Sequence, residues 1–243
     1  MNKENSISST ISRLVTMFVP ATVSRYHTYL SLCNCPIQAS PSGKAARMDD
    51  ISDVRYTPMT ESSPFVKPYH MYFKQGGRQR RWDLLKIHNS VAILIYNVSR
   101  EVIVLVKQFR PAVYVSNICE GDKEDGQQID TGKYPASIGF TLELCAGIVD
   151  KPSKSLEEIA LLNFFLRSGI GITGDKQTVF YAEVTDDMKT SKGGGNEEEG
   201  ELIEVVELPL TQAKAYITQK DVCSPGGFLF ALHWFFNHKN ITL

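Results

Sequence analysis

The chain lacks several things that would have settled its class at once. No run approaches the ~20 consecutive apolar residues that a membrane-spanning helix needs, and the mean hydropathy is −0.17, so an integral membrane protein is not expected. Cysteine is scarce: Cys33, Cys35, Cys119, Cys145 and Cys223 form no C-x-x-C pair, which argues against a disulfide framework and a cysteine-rich zinc module. The five histidines are scattered, and neither a phosphate-cradling G-x-x-x-x-G-K-[ST] loop nor a G-x-S-x-G nucleophile elbow is present, leaving zinc hydrolases, P-loop enzymes and α/β-hydrolases without support. Excess charge is missing as well. Lysine plus arginine number 26 against 27 acids, for a net −1, and such a balance gives no general attraction to nucleic acid.

What is present is unevenly distributed. Up to residue 47 the basic residues are Lys3, Arg13, Arg25, Lys44 and Arg47, with Glu4 the lone acid, so this segment carries +4 and the remainder −5. It is rich in Ser and Thr and holds a short apolar run, Leu14 to Val23, interrupted by Pro20. This reads as a disordered basic extension over 1–47, with a mitochondrial transit segment as the alternative. Globular texture begins at Met48, in a chain 42% apolar and 22% charged, long enough for a substantial core.

The body alternates like a β-rich domain. Residues 69–75 and Arg80 to Ile87 flank Gly76-Gly77 as a hairpin, and Val91 to Tyr96 and Val102 to Val106 flank a polar turn as a second. Residues 116–139 read as a long surface loop. Phe140 to Ala146, Val179 to Val184 and Leu202 to Leu208 read as further strands, and Thr211 to Gln219 and Phe228 to His238 as helices. The expected fold class is α+β or mixed α/β, divided as a hairpin region over 48–87 and a larger domain over 88–240.

Four local patterns carry candidate chemistry. Arg110, in Lys-Gln-Phe-Arg-Pro at a strand end, is placed either to hold a phosphate with its fork or to sit at a surface turn closed by Pro111. In Glu143-Leu-Cys-Ala-Gly147, alternation puts Glu143, Cys145 and Gly147 on one face and Leu144 and Ala146 on the other. Gly147 permits close approach, freeing a neighbouring carbonyl for a hard cation, or simply ends a strand. Ser155 with Glu157 and Glu158 resembles a helix start, followed by Ile159 to Leu166, apolar enough to demand burial of the whole helix. Glu197, Glu198, Glu199, Glu201, Glu204 and Glu207 follow Gly193-Gly194-Gly195, as either a solvated flexible loop or a mobile source of a metal ligand or base.

The order of these motifs is more telling than any one of them. Trp82-Asp83, V-I-V-L-V-K-Q-F-R-P-A-V-Y over 102–114, T-L-E-L-C-A-G-I-V-D over 141–150, S-L-E-E-I-A over 155–160, S-G-I-G-I-T-G over 168–174 and E-E-G-E-L-I-E-V-V-E-L-P-L over 198–210 together resemble a Nudix hydrolase, from about Met48 to His238. Within that family the chain is similar to the UDP-sugar diphosphatase branch, kin to the ADP-ribose pyrophosphatases. The resemblance implies an αβα sandwich with a mixed sheet, and Mg²⁺-dependent hydrolysis (Mn²⁺ the alternative) of a nucleoside diphosphate sugar: UDP-glucose to UMP and glucose 1-phosphate, or ADP-ribose to AMP and ribose 5-phosphate. It further implies a cytoplasmic homodimer exchanging amino-terminal hairpins, with neither nucleic acid nor membrane as partner. By position, the Ala146 carbonyl matches a metal ligand and Gly147 the glycine opening the Nudix box. Arg110 and Glu143 match the cleft wall, Trp82 a place near substrate, and Glu199 or Glu201 the catalytic glutamate of a mobile loop. One departure matters. The box should continue R-E-x-x-E-E-x-G, with metal-holding carboxylates along one helix face, yet after Glu158 no acid occurs before Asp175. Glu157 and Glu158 are weak surrogates. The expectation is an impaired hydrolase, or a non-catalytic nucleotide-sugar-binding or dimerisation partner arising as a splice or gene-model variant.

Overall fold

A computed structural model describes residues 47–149, 162–195 and 200–240. The readings made for 1–46, for Glu157 and Glu158, and for Glu199 lie outside these residues.

Among the described residues nine strands form two sheets. The amino-terminal hairpin is β1 (Lys67–Gln75) and β2 (Arg78–Lys86), antiparallel and closed by Gly76-Gly77 as the sequence predicts. This ribbon is a separate two-stranded sheet. It is tied to the body by the Leu85 N–H donating to Ile172 O (3.1 Å) and by the Trp82 indole N–H donating to Gly171 O (2.7 Å).

The main sheet is mixed. β3 (Asn89–Asn97) and β4 (Val102–Phe109) pair antiparallel only near their turn, Ile95 to Asn97 against Val102 to Val104, and then diverge. Into that fork the chain inserts β5 (Phe140–Glu143) along β4, then β6 (Cys145–Val149) along β3, both antiparallel, with Leu144 between them. The single strand expected over 140–146 is therefore two, because the diverging β3 and β4 each offer a free edge to only part of it. β8 (Lys176–Val184) runs parallel to the other edge of β3, and β9 (Ile203–Pro209) antiparallel to the other edge of β4.

The largest departure concerns β7 (Leu162–Arg167), which pairs antiparallel with β8. The sequence reading placed the end of an all-apolar helix here. A short apolar run does not distinguish a buried helix from a strand, and pairing with β8 decides the matter. Phe164 and Leu166 pack toward the core while Phe165 and Arg167 point outward, the period of two that a strand requires.

Two of the helices cover one face. α2 (Leu210–Ile217) and α3 (Gly226–His238) carry Ala213, Phe228, Ala231, Leu232, Phe235 and Phe236 onto Ala92, Leu94, Leu105 and Tyr181. The opposite face buries Val91, Ile93, Val104, Val106, Cys145 and Phe180, with Met188 from the turn after β8 packed against it. A short helix that the sequence did not suggest, α1 (Pro111–Ser116), begins directly after β4 with Pro111 at its start, where a missing N–H costs nothing. The stretch after it is no bare surface loop. Tyr114, Ile118, Ile129 and Tyr134 form a small core of their own, with Ile51 and Val54 of the preceding chain packed on it. Among the described residues no helix is long and apolar enough to cross a membrane.

Candidate active-site cleft

The candidate cleft wall lies where β4 ends and β5 runs beside it. Gln108 lies opposite Thr141 and Val106 opposite Glu143 in the antiparallel register, so Gln108, Thr141 and Glu143 share one face, and Arg110 continues the alternation from Gln108. Arg110 is fixed at its backbone from both sides. Its N–H donates to Gly139 O (2.8 Å), and its carbonyl accepts the Tyr114 N–H (2.9 Å) as the residue capping α1. Gly139 has to be glycine for this, because a β-carbon there would lie 2.7 Å from both the Phe109 ring and Tyr114 Cβ.

From this anchor Arg110 grips Glu143 with two parallel hydrogen bonds, Nε to Oε1 at 2.7 Å and Nη2 to Oε2 at 2.6 Å. Glu143 is only 5% exposed. It also accepts Thr141 Oγ1 on Oε1 (2.6 Å) and Gln108 Nε2 on Oε2 (3.3 Å). Burial works against the charge on Glu143, but the Arg110 fork, Thr141 and Gln108 outweigh it and hold the carboxyl below its ordinary value. The guanidinium is correspondingly raised by its bond to Glu143, and the charge of Glu201 raises it further. The Arg110 side chain is 45% exposed, so the donors that Glu143 does not engage remain open to an incoming anion.

The other candidates lie elsewhere in the fold. Gly147 and Ala146 lie on β6 opposite Val91 and Ala92. A small cavity of about 20 Å³, room for one water, is lined by Glu143, Leu144, Ala146, Ala92, Gln177, Pro225 and Phe228. Glu201 acts on Arg110 through its charge. Its position depends on close approach within the triple glycine: a β-carbon on Gly195 would lie 2.1 Å from Glu201 O, and one on Gly194 3.3 Å from Ile203 O. That stretch therefore closes the neck of the acidic segment instead of serving as a free linker. Trp82, on the outlying hairpin, is bound to Gly171 O and not to the Arg110 group.

Thr141 and Gln108 were not singled out from sequence, although a signal existed. Each sits two residues before a chosen residue, Glu143 or Arg110, on the same face of a strand. Cys145 offers no nucleophile: it is wholly buried, and burial pushes its thiol up to about 12. Among the described residues no three of His, Cys, Asp and Glu come together as a metal-binding group, and Glu143 is committed to Arg110. These residues alone do not fit a divalent-ion site. What they form is a braced guanidinium, Arg110 held by Glu143, with the charge of Glu201 acting on it.

No protein-family model matches the chain. It is similar to uridine diphosphate glucose pyrophosphatase of Bos taurus, 42% identical over 200 residues, covering 72% of this chain and 90% of the relative. The Mus musculus protein of that name matches at 42% over 199 residues with the same coverages. GDP-mannose pyrophosphatase of Citrobacter koseri is 32% identical over 149 residues, covering 55% of this chain and 66% of that one. With 42% identity to the bovine relative across nine-tenths of its length and 72% of this chain, the protein belongs to the Nudix hydrolase family.

Proposed function

We propose that the chain binds nucleoside diphosphate sugars at the wall formed by Arg110 and Glu143, and hydrolyses their diphosphate much more slowly than a relative with a complete Nudix box. The observation carrying the first half is the Glu143-braced guanidinium. A fork held at one edge and open at the other matches the paired oxygens of a diphosphate, and bracing by a buried carboxylate fixes its direction. The relatives' names supply the substrate class, UDP-glucose in one case and GDP-mannose in another.

Two observations support impairment. The sequence holds no acid between Glu158 and Asp175. The match to the bovine relative spans 200 residues, yet 72% of 243 is about 175, so about 25 matched positions have no counterpart here. Nudix hydrolases use divalent metal ions to neutralise the diphosphate; Mg²⁺, with Mn²⁺ as alternative, is the ion proposed. Losing carboxylates that hold such ions removes charge stabilisation from the transition state, a loss of several orders of magnitude in rate. Glu201, whose charge acts on Arg110, is the residue proposed to orient or deprotonate water, and Trp82 and Gly147 are proposed as substrate contacts.

The assembly proposed is a homodimer through the amino-terminal hairpin. Tyr69, Met71 and Trp82 lie on one face of that ribbon and are exposed, an apolar patch that a second copy would cover.

The test is calorimetric titration of the full chain with UDP-glucose. Saturable binding, weakened at least tenfold by Arg110→Ala, is expected. Absence of binding, or indifference to Arg110→Ala, overturns the assignment. Competition with ADP-ribose then ranks the two nucleotides.

A further inference from the structure

We infer that Thr141 is a positioning residue for the anion-binding arginine, acting through Glu143. The inference rests on the reading that Arg110 faces a diphosphate, and deepens it by identifying what holds that guanidinium in place.

A carboxylate and a guanidinium joined by two parallel bonds share a plane, but the pair can still swing together about the long side chains that carry it. Arg110 follows β4 while Glu143 ends β5, and Arg110 is half in solvent, so the swing is resisted by contacts outside the pair. Among the described residues two hydrogen bonds resist it: Thr141 Oγ1 to Glu143 Oε1 at 2.6 Å, and Gln108 Nε2 to Glu143 Oε2 at 3.3 Å. The first is the shorter and comes from the stiffer side chain. Thr141 is β-branched, with its χ1 restricted, sits inside β5 and is 5% exposed. Water has little access to substitute for its hydroxyl. The alternative acceptor, Gln108 O, is 3.4 Å away, a weaker geometry than the carboxylate offers.

Thr141 thus works as a fixed stop. It bonds the same carboxylate oxygen that receives Arg110 Nε, and so sets where the fork's remaining donors point. Its loss leaves the two Arg110–Glu143 bonds in place but frees their common orientation, which must then be fixed again whenever a ligand binds. Ordering one long side chain on binding corresponds to about threefold to tenfold in affinity.

The experiment titrates UDP-glucose into the full chain and into Thr141→Val, Thr141→Ser, Arg110→Lys, and the double variant Thr141→Val with Arg110→Lys. Thr141→Val is expected to weaken binding about threefold to tenfold and Thr141→Ser to restore it. In the Arg110→Lys background, where no fork remains to be aimed, Thr141→Val is expected to cost nothing further. A merely structural role would give the same loss in both backgrounds, and that result overturns the inference, as does wild-type affinity in Thr141→Val. If Thr141→Val does not fold, Thr141→Ala carries the same comparison. Failure of the unaltered chain to bind UDP-glucose overturns the diphosphate reading itself and this inference with it. Binding that depends on Arg110 but not on Thr141 overturns the inference alone.

Discussion

Arg110 and Glu143 meet across the β4–β5 ladder in a bidentate pair that is lopsided in burial: the carboxylate is 5% exposed and the arginine side chain 45%. The asymmetry predicts unequal costs. Arg110→Ala strands a buried carboxylate and is expected to destabilise the fold by about 2–3 kcal/mol, discounted from the usual buried-pair figure because the arginine is half in water. Glu143→Gln leaves a guanidinium that can hydrate, and is expected to cost about 1 kcal/mol. Denaturant midpoints of the two variants measure the difference.

The same pair sets a pH signature. Glu143 is held below the ordinary carboxyl value of 4.5, so its stabilisation is complete above that pH and fades as pH falls through the lower folded value. In Arg110→Ala only Thr141 and Gln108 still oppose burial, and the carboxyl moves up. The unpaired charge then penalises the fold at neutral pH and is relieved on protonation. Unfolding measured from pH 7 to pH 4 is expected to show the gap between wild type and Arg110→Ala narrowing toward acid.

β7 can be checked by neighbours with opposite fates. Phe164 packs edge-on against Phe230 and lies beside Trp234, whereas Phe165 is 59% exposed beneath Lys176. Phe164→Ala is expected to cost about 3 kcal/mol and Phe165→Ala less than about 1 kcal/mol. Similar costs in thermal unfolding would contradict the strand.

Gly195 gives a sharper test of the acidic segment. A β-carbon there would meet Glu201 O at 2.1 Å, a backbone atom that cannot step aside as a side chain would. Gly195→Ala is expected to displace the neck of the segment and speed limited proteolysis near residues 196–200. Unchanged cleavage would show that the neck tolerates opening.

The proposed assembly predicts that the chain sediments as a dimer at micromolar concentration and that Met71→Glu, on the exposed hairpin face, shifts it to monomer. A monomeric wild type contradicts it.

Much of the fold was legible because it is written in local alternation. The two hairpins, β8, β9 and the two carboxy-terminal helices need only near neighbours to declare themselves. The misreadings share one cause: contacts between distant residues overrode local pattern. The split at Leu144 follows from the fork between β3 and β4, which no window around residue 144 contains. β7 is a strand because β8 pairs with it. α1 is a helix although Val113 and Val115 are poor helix formers; Pro111 starts it, and Tyr114 beneath it donates its hydroxyl to Tyr134 O at 2.6 Å. At the site, Arg110 and Glu143 could be named from motif order. Their partnership could not, because it is a register fact, and Thr141 and Gln108 become visible only once β5 is laid against β4.

The most direct test of the account as a whole is Mg²⁺-dependent release of UMP from UDP-glucose by the purified chain, measured beside the bovine relative under identical conditions. A diphosphate-binding wall without the carboxylates of the full box predicts release slower by several orders of magnitude. Turnover comparable to the relative's would contradict it, and would mean that Glu157, Glu158 and the acidic segment replace the missing ligands.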